Sequence, residues 1–179
     1  RIKGRVEFMA GVNDIRVDEC LEISSAAVSS GANSLLVAAP PYSLPSEEEL
    51  SYHVLKIAET TGLPIMLYNY PGRTGVEMGE TFLSVVAKNP LIAAIKESSG
   101  DYSRLPLLSS NYPSIELAVG GEEQVLEFAA WGAKSWVCAT ANFFPSECVQ
   151  VMDILGKQSM QLLFLSFCQM NLLFNDIFN

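Results

Sequence analysis

The stretch PIMLYNYPGRTG, residues 64–75, is apolar for four residues, meets a tyrosine, and turns through Pro-Gly with an arginine in the turn. A run that short and that continuously apolar resembles a strand of a parallel sheet, covered on its face, rather than a one-sided antiparallel strand. The same kind of run recurs along the chain as RVEFMAGV (5–12), SLLVAAP (34–40), LIAAIKE (91–97), IELAVGG (115–121) and SWVCATAN (135–142).

Helical patterns fill the intervals. RVDECLEISSAAVSSGA (16–32) gathers Cys20, Ile23, Ala27 and Val28 near one face and stops at Gly31. SEEELSYHVLKIAETTG (46–62) opens with Ser46 and Glu49 in capping-box spacing and closes on Gly62. GETFLSVVAKNP (79–90) and GEEQVLEFAAWGA (121–133) continue the alternation. Uninterrupted β-α-β-α order predicts an α/β fold with a parallel sheet.

A doubly wound nucleotide-binding sheet would carry a glycine-rich phosphate loop after a strand, and neither GxGxxG nor GxxxxGK[ST] occurs. Chemically capable residues sit instead at the carboxyl ends of several strands: Tyr42, Tyr68, Lys96 and the Gly120-Gly121 turn. That distribution predicts a (β/α)8 TIM barrel. A closed barrel needs eight strands and these 179 residues supply about six, so the chain reads as a fragment covering roughly strands 3 to 8. The partial barrel is expected over residues 1–155, and the start of a C-terminal helical region over 156–179.

The bulk composition narrows the function. Twenty acidic against eleven basic residues give a net charge of -9, which repels a phosphate backbone and excludes nucleic acid as a partner. Cys20, Cys138, Cys148 and Cys168 form no CxxC pair and the single histidine joins no cluster, so no metal is expected. Reduced thiols and the lack of a secretory pattern at the start predict a cytoplasmic protein. MQLLFLSFCQMNLLF (160–174) is shorter than a spanning helix and interrupted by polar residues, so a packing helix is expected and no membrane partner.

Lys96 ends an apolar run, where a lysine held against apolar walls frees its amine to attack a carbonyl and form a Schiff base. The plain alternative is a stem that packs while its head reaches water. Tyr68 ends the preceding strand, where a phenol beside the lysine could shuttle protons; a core tyrosine is the alternative. Arg73, set between Pro71 and two glycines, would aim its fork at a carboxylate, or else is a solvated loop arginine. His53 lies inside a helix, where packing outweighs catalysis.

YNYPGRTG followed by IKESSGD at this spacing resembles the dihydrodipicolinate synthase and N-acetylneuraminate lyase family of class I pyruvate aldolases. The resemblance implies that Lys96 forms the Schiff base with pyruvate and that Tyr68 relays protons. It implies that Tyr42 reaches across a tight-dimer interface into a neighbouring site, within a homodimer or homotetramer. It further implies that Arg73 binds the carboxylate of the second substrate and that the backbone of Val137 borders the pyruvate. No cofactor is implied; the partners are small molecules, pyruvate and an aldehyde, with L-aspartate semialdehyde the expected aldehyde. Another pyruvate aldolase or a keto-deoxy sugar-acid dehydratase of the family is the alternative, as is a truncated, non-catalytic chain. The family's first two strands and its GTTGE-type motif are absent from these residues. Pro40-Pro41-Tyr42 keeps only the second tyrosine of the usual Pro-Tyr-Tyr.

Overall fold

The computed structural model describes residues 4–156. Strands and helices alternate: β1 (Met9–Val12), α1 (Val17–Ser29), β2 (Ser34–Ala38), α2 (Glu47–Thr61), β3 (Ile65–Asn69), α3 (Pro71–Thr74), α4 (Glu80–Val86), β4 (Ile92–Glu97), α5 (Arg104–Asn111), β5 (Glu116–Val119), α6 (Val125–Ala130), β6 (Ser135–Trp136) and α7 (Pro145–Gly156). Short 3-10 turns occupy Glu122–Gln124 and Thr140–Asn142. The chain divides into two compact units, one ending at Glu116 and one beginning at Leu117.

In the first unit β1, β2, β3 and β4 lie side by side in chain order, each pair parallel. Successive side chains alternate between the two faces, and the faces differ. Leu35, Val37, Ile65, Leu67 and Ile95 are fully buried, as are Leu50, Val54, Ile57, Phe82 and Leu83 of the helices α2 and α4. On the other face Leu36, Tyr68 and Lys96 are only half-buried. In the second unit β5 and β6 pair parallel, Ala118 with Ser135 and Val119 with Trp136.

Helix α2 has the expected ends. The Ser46 hydroxyl accepts the Glu49 N–H at 3.2 Å, the Ser46 N–H donates to the Glu49 carboxylate at 2.8 Å, and Gly62 closes the helix at φ 65°. These partners satisfy backbone groups that a helix end leaves open. His53 is buried in α2, in keeping with packing. Helix α1 buries Cys20, Ser24 and Ala27, while Ile23 and Val28 stand more than a third exposed, so the core face is narrower and smaller than the hydrophobic spacing predicts. Helix α5 goes beyond the sequence reading, which has no helix there. Apart from Gly156, the helical region expected over 156–179 lies outside the described residues, as does Cys168. Cys20, Cys138 and Cys148 are free thiols.

Candidate functional site

Strand β4 carries one residue more than β3 near its start. Ile65 pairs with Ile92, but Met66 pairs with Ala94, and Ala93 is the extra, exposed residue. This bulge brings Tyr68 level with Lys96 and Asn69 level with Glu97. Paired residues of a parallel sheet share a face, so Tyr68 and Lys96 meet on the half-open face. The Lys96 ammonium stands 4.0 Å from the centroid of the Tyr68 ring. A cation over a phenol face gains about 0.5–2 kcal/mol, according to how far it is desolvated.

A line of side chains continues from this pair. The rings of Tyr68 and Tyr70 are 5.8 Å apart between centroids, tilted by 32°, and the Arg73 guanidinium lies 5.9 Å from the Tyr70 ring. A hydrogen bond with the Tyr70 hydroxyl raises the Arg73 guanidinium above its ordinary pKa. Arg73 itself is exposed, on the four-residue helix α3 that starts at Pro71 and ends in a left-handed Gly75 at φ 72°. Proline at the first helical position and glycine just past the last one hold this single turn in place. Tyr70 is a site residue that sequence reasoning missed; its signal was the YNY spacing, which places 68 and 70 on one face.

Behind the pair, on the helix-covered face, lies a buried polar cluster that the sequence reading also missed. The Glu97 carboxylate accepts the Asn69 amide at 2.9 and 3.1 Å, the Arg104 Nε–H at 2.7 Å and the Ser99 N–H at 2.7 Å. The side chains of Glu97 and Arg104 are 1% and 5% exposed. The signal for this cluster was a charged residue directly after Lys96 inside an apolar strand.

Tyr42 and Val137 each follow a strand, Tyr42 in the first unit and Val137 in the second. Tyr42, in the loop after β2, is 91% exposed and has φ 65°, and Leu44 beside it has φ 44°. Left-handed backbone costs an ordinary residue about 1–2 kcal/mol, so this loop holds its tyrosine outward in a strained turn. Val137 follows β6 in the second unit, half-buried, its N–H donating to the Val119 carbonyl at 3.0 Å. The loop after it is held by Glu122, whose carboxylate accepts the N–H groups of Ala139 at 2.7 Å and Thr140 at 3.3 Å. The part Glu122 plays in holding this loop appears in the tertiary structure alone.

No group of three or more metal-ligating side chains occurs among the described residues. Among them, no helix is long and apolar enough to cross a membrane.

The profile of the Dihydrodipicolinate synthetase family matches residues 1–178. The chain belongs to this family. A curated 4-hydroxy-tetrahydrodipicolinate synthase of Leptospira biflexa is 32% identical over 154 residues, 86% of this chain and 52% of the relative. The 4-hydroxy-tetrahydrodipicolinate synthase structure from Methylacidiphilum fumariolicum SolV superposes with a TM-score of 0.92 at 28% identity, covering 99% of this chain and 60% of that one. A dihydrodipicolinate synthase from Acinetobacter baumannii, described as chloride-inhibited and complexed with pyruvate, superposes with a TM-score of 0.88 at 30% identity, covering 97% and 61%. The chain therefore spans about half the length of the curated relatives it matches. Its fold is that of a partial (β/α)8 barrel: among the described residues, four parallel strands with their helices lie in the first unit and two in the second.

Proposed function

We propose that this chain carries the Schiff-base centre of a pyruvate-condensing lyase, with Lys96 as the nucleophile and Tyr68 as the proton relay. The observation that carries the reading is the level pairing of Lys96 and Tyr68 at the carboxyl ends of β4 and β3, amine over ring. The pyruvate named with the Acinetobacter baumannii relative supports the substrate.

The free amine of Lys96 adds to the C2 carbonyl of pyruvate, and the resulting carbinolamine loses water to give a protonated imine. Loss of a methyl proton then yields an enamine, the protonated imine having served as the electron sink. The enamine carbon attacks the carbonyl of an aldehyde, and the Lys96 amine leaves when water attacks the new imine or, for an amino aldehyde, when the substrate's own amine attacks it and closes the ring. Tyr68 stands where a phenol hands protons to and from the carbinolamine oxygen.

Arg73, exposed beside Tyr70, suits the carboxylate of an aldehyde such as L-aspartate semialdehyde, which gives 4-hydroxy-tetrahydrodipicolinate as product. Val137 offers its backbone to the pyruvate. Tyr42, outward on its strained loop, fits the site of a neighbouring copy in a dimer or tetramer, in a cytoplasmic setting.

Incubation with pyruvate and borohydride, followed by peptide mass spectrometry, tests the first step, because borohydride reduces an imine to a stable amine. A single adduct on Lys96, absent from Lys96→Ala, is the expected result. No adduct on a chain that melts cooperatively would overturn the reading. A substrate panel then tests the aldehyde, since turnover of a keto-deoxy sugar acid without turnover of L-aspartate semialdehyde would move the chain to another branch of the family.

A further inference from the structure

Tyr68 and Lys96 are each followed by a polar residue that points the other way. Asn69 and Glu97 leave their strands on the helix-covered face, and there they bond to each other across the same register step that pairs Tyr68 with Lys96. Four segments converge on this point. β3 arrives through Asn69, β4 through Glu97 and the Ser99 N–H, and α5 through Arg104. The segment after the Arg73 turn is held at both backbone groups of Met78. Its N–H donates to Asn69 Oδ1 at 3.0 Å and its carbonyl accepts Arg104 Nη2 at 2.9 Å, while Glu77 accepts Nη1 at 2.8 Å.

The bulge at Ala93 makes this clamp consequential. Without the extra residue Tyr68 would face Ile95, and Asn69 would face Lys96, because a one-residue slip exchanges the two faces of a strand. Only the register that joins Asn69 to Glu97 also sets the Lys96 amine over the Tyr68 ring.

We propose that Glu97 is the positioning residue of this site. Through Asn69 and Arg104 it locks the β3–β4 register that presents Lys96 to Tyr68, and through Met78 it ties the Arg73 turn to the same frame. Its catalytic meaning rests on the Schiff-base reading of Lys96, whereas its geometric content does not.

The test uses the 179-residue chain and three variants: Glu97→Gln, Arg104→Lys and the doubly apolar Glu97→Leu/Arg104→Met. Replacing both members of a buried ion pair by apolar residues commonly preserves stability, so the double variant separates folding from positioning. Two readouts are taken below the melting transition of each variant. The first is the resonance of the Lys96 side chain after reductive methylation with carbon-13 formaldehyde, assigned with Lys96→Arg. An amine over a ring face is shifted upfield by the ring current, and Tyr68→Leu removes that shift. The second is the rate of borohydride-trapped pyruvate adduct on Lys96.

The parent is expected to show the upfield resonance, and the folded variants to lose it. Their adduct rate should fall about 10- to 100-fold, the scale of a reacting group displaced by about 1 Å. Variants that melt at a lower temperature but keep the resonance and the rate would overturn the proposal, as would a parent without the shifted resonance. Loss of cooperative melting in all three variants would overturn it too, since the cluster would then be a stability element. A parent with the resonance but no adduct would end the Schiff-base reading, and the resonance alone would then decide the positioning role.

Discussion

Replacing Gly75 by alanine tests whether the turn that carries Arg73 depends on left-handed backbone. Gly75 has φ 72° and ψ 1°, and its N–H closes the turn on the Pro71 carbonyl at 2.8 Å. An alanine there would adopt a conformation that costs an L-residue about 1–2 kcal/mol. Its Cβ would also stand 2.6 Å from Cδ2 of Leu44. Leu44 is 63% exposed, so its side chain can swing into solvent at little cost, and the backbone strain dominates. A domain of this size loses about 2–4 °C per kcal/mol, so Gly75→Ala should melt about 2–8 °C below the parent by circular dichroism. Gly75→Asn should lose less than alanine, because asparagine enters the left-handed region more readily. Adding Leu44→Ala should restore only the small part due to the contact. A Gly75→Ala melt within about 1 °C of the parent, or below it no further than Gly75→Asn, would refute the strain argument.

Other perturbations probe separate parts of the chain. Burial holds the His53 imidazole below its ordinary pKa of 6.5, and its Nε2 has no hydrogen-bond partner among the described residues. The unfolded chain therefore takes up a proton as pH falls through 6.5 while the folded chain resists, so stability is full above 6.5 and declines below it. Melts of His53→Leu between about pH 7.5 and 5.5 should show a flatter decline than the parent. Ser46→Ala breaks the capping box of α2 and should cost about 1 kcal/mol, read as a melt lowered by about 2–4 °C. Burial, and then the neighbouring Cys138 thiol, push Cys148 up to about 12, so iodoacetamide at about pH 8 should alkylate it only once denaturant is added. Tyr70→Phe should leave the pyruvate adduct on Lys96 intact while weakening turnover of a carboxylate-bearing aldehyde by a few-fold, because it removes the hydroxyl that bonds Arg73.

What the sequence determined by itself is local. Ser46, Glu49 and Gly62 announce both ends of α2, because capping depends on neighbours three or four residues away. The parallel α/β class follows from apolar runs alternating with helical patterns. Lys96 and Tyr68 could be singled out because each closes an apolar strand. Helix α5 escaped notice because Pro106 and the run SSN (109–111) argue against a helix, while burial of Arg104, Leu105 and Leu108 holds one there.

The tertiary structure alone decided the rest. Whether Tyr68 meets Lys96 or Ile95 turns on one extra residue at Ala93, and a bulge leaves no periodic signature in so short a strand. Glu97 is tolerable in the core only because Arg104 and Asn69 reach it there, and Asn69 lies 28 residues away along the chain. Likewise the left-handed backbone that turns Tyr42 outward appears only in the folded chain. Helix ends and strand runs are set by dihedrals and spacing within a few residues. Strand register and the burial of charge are set by which distant segments come together, and so became legible only in the folded chain.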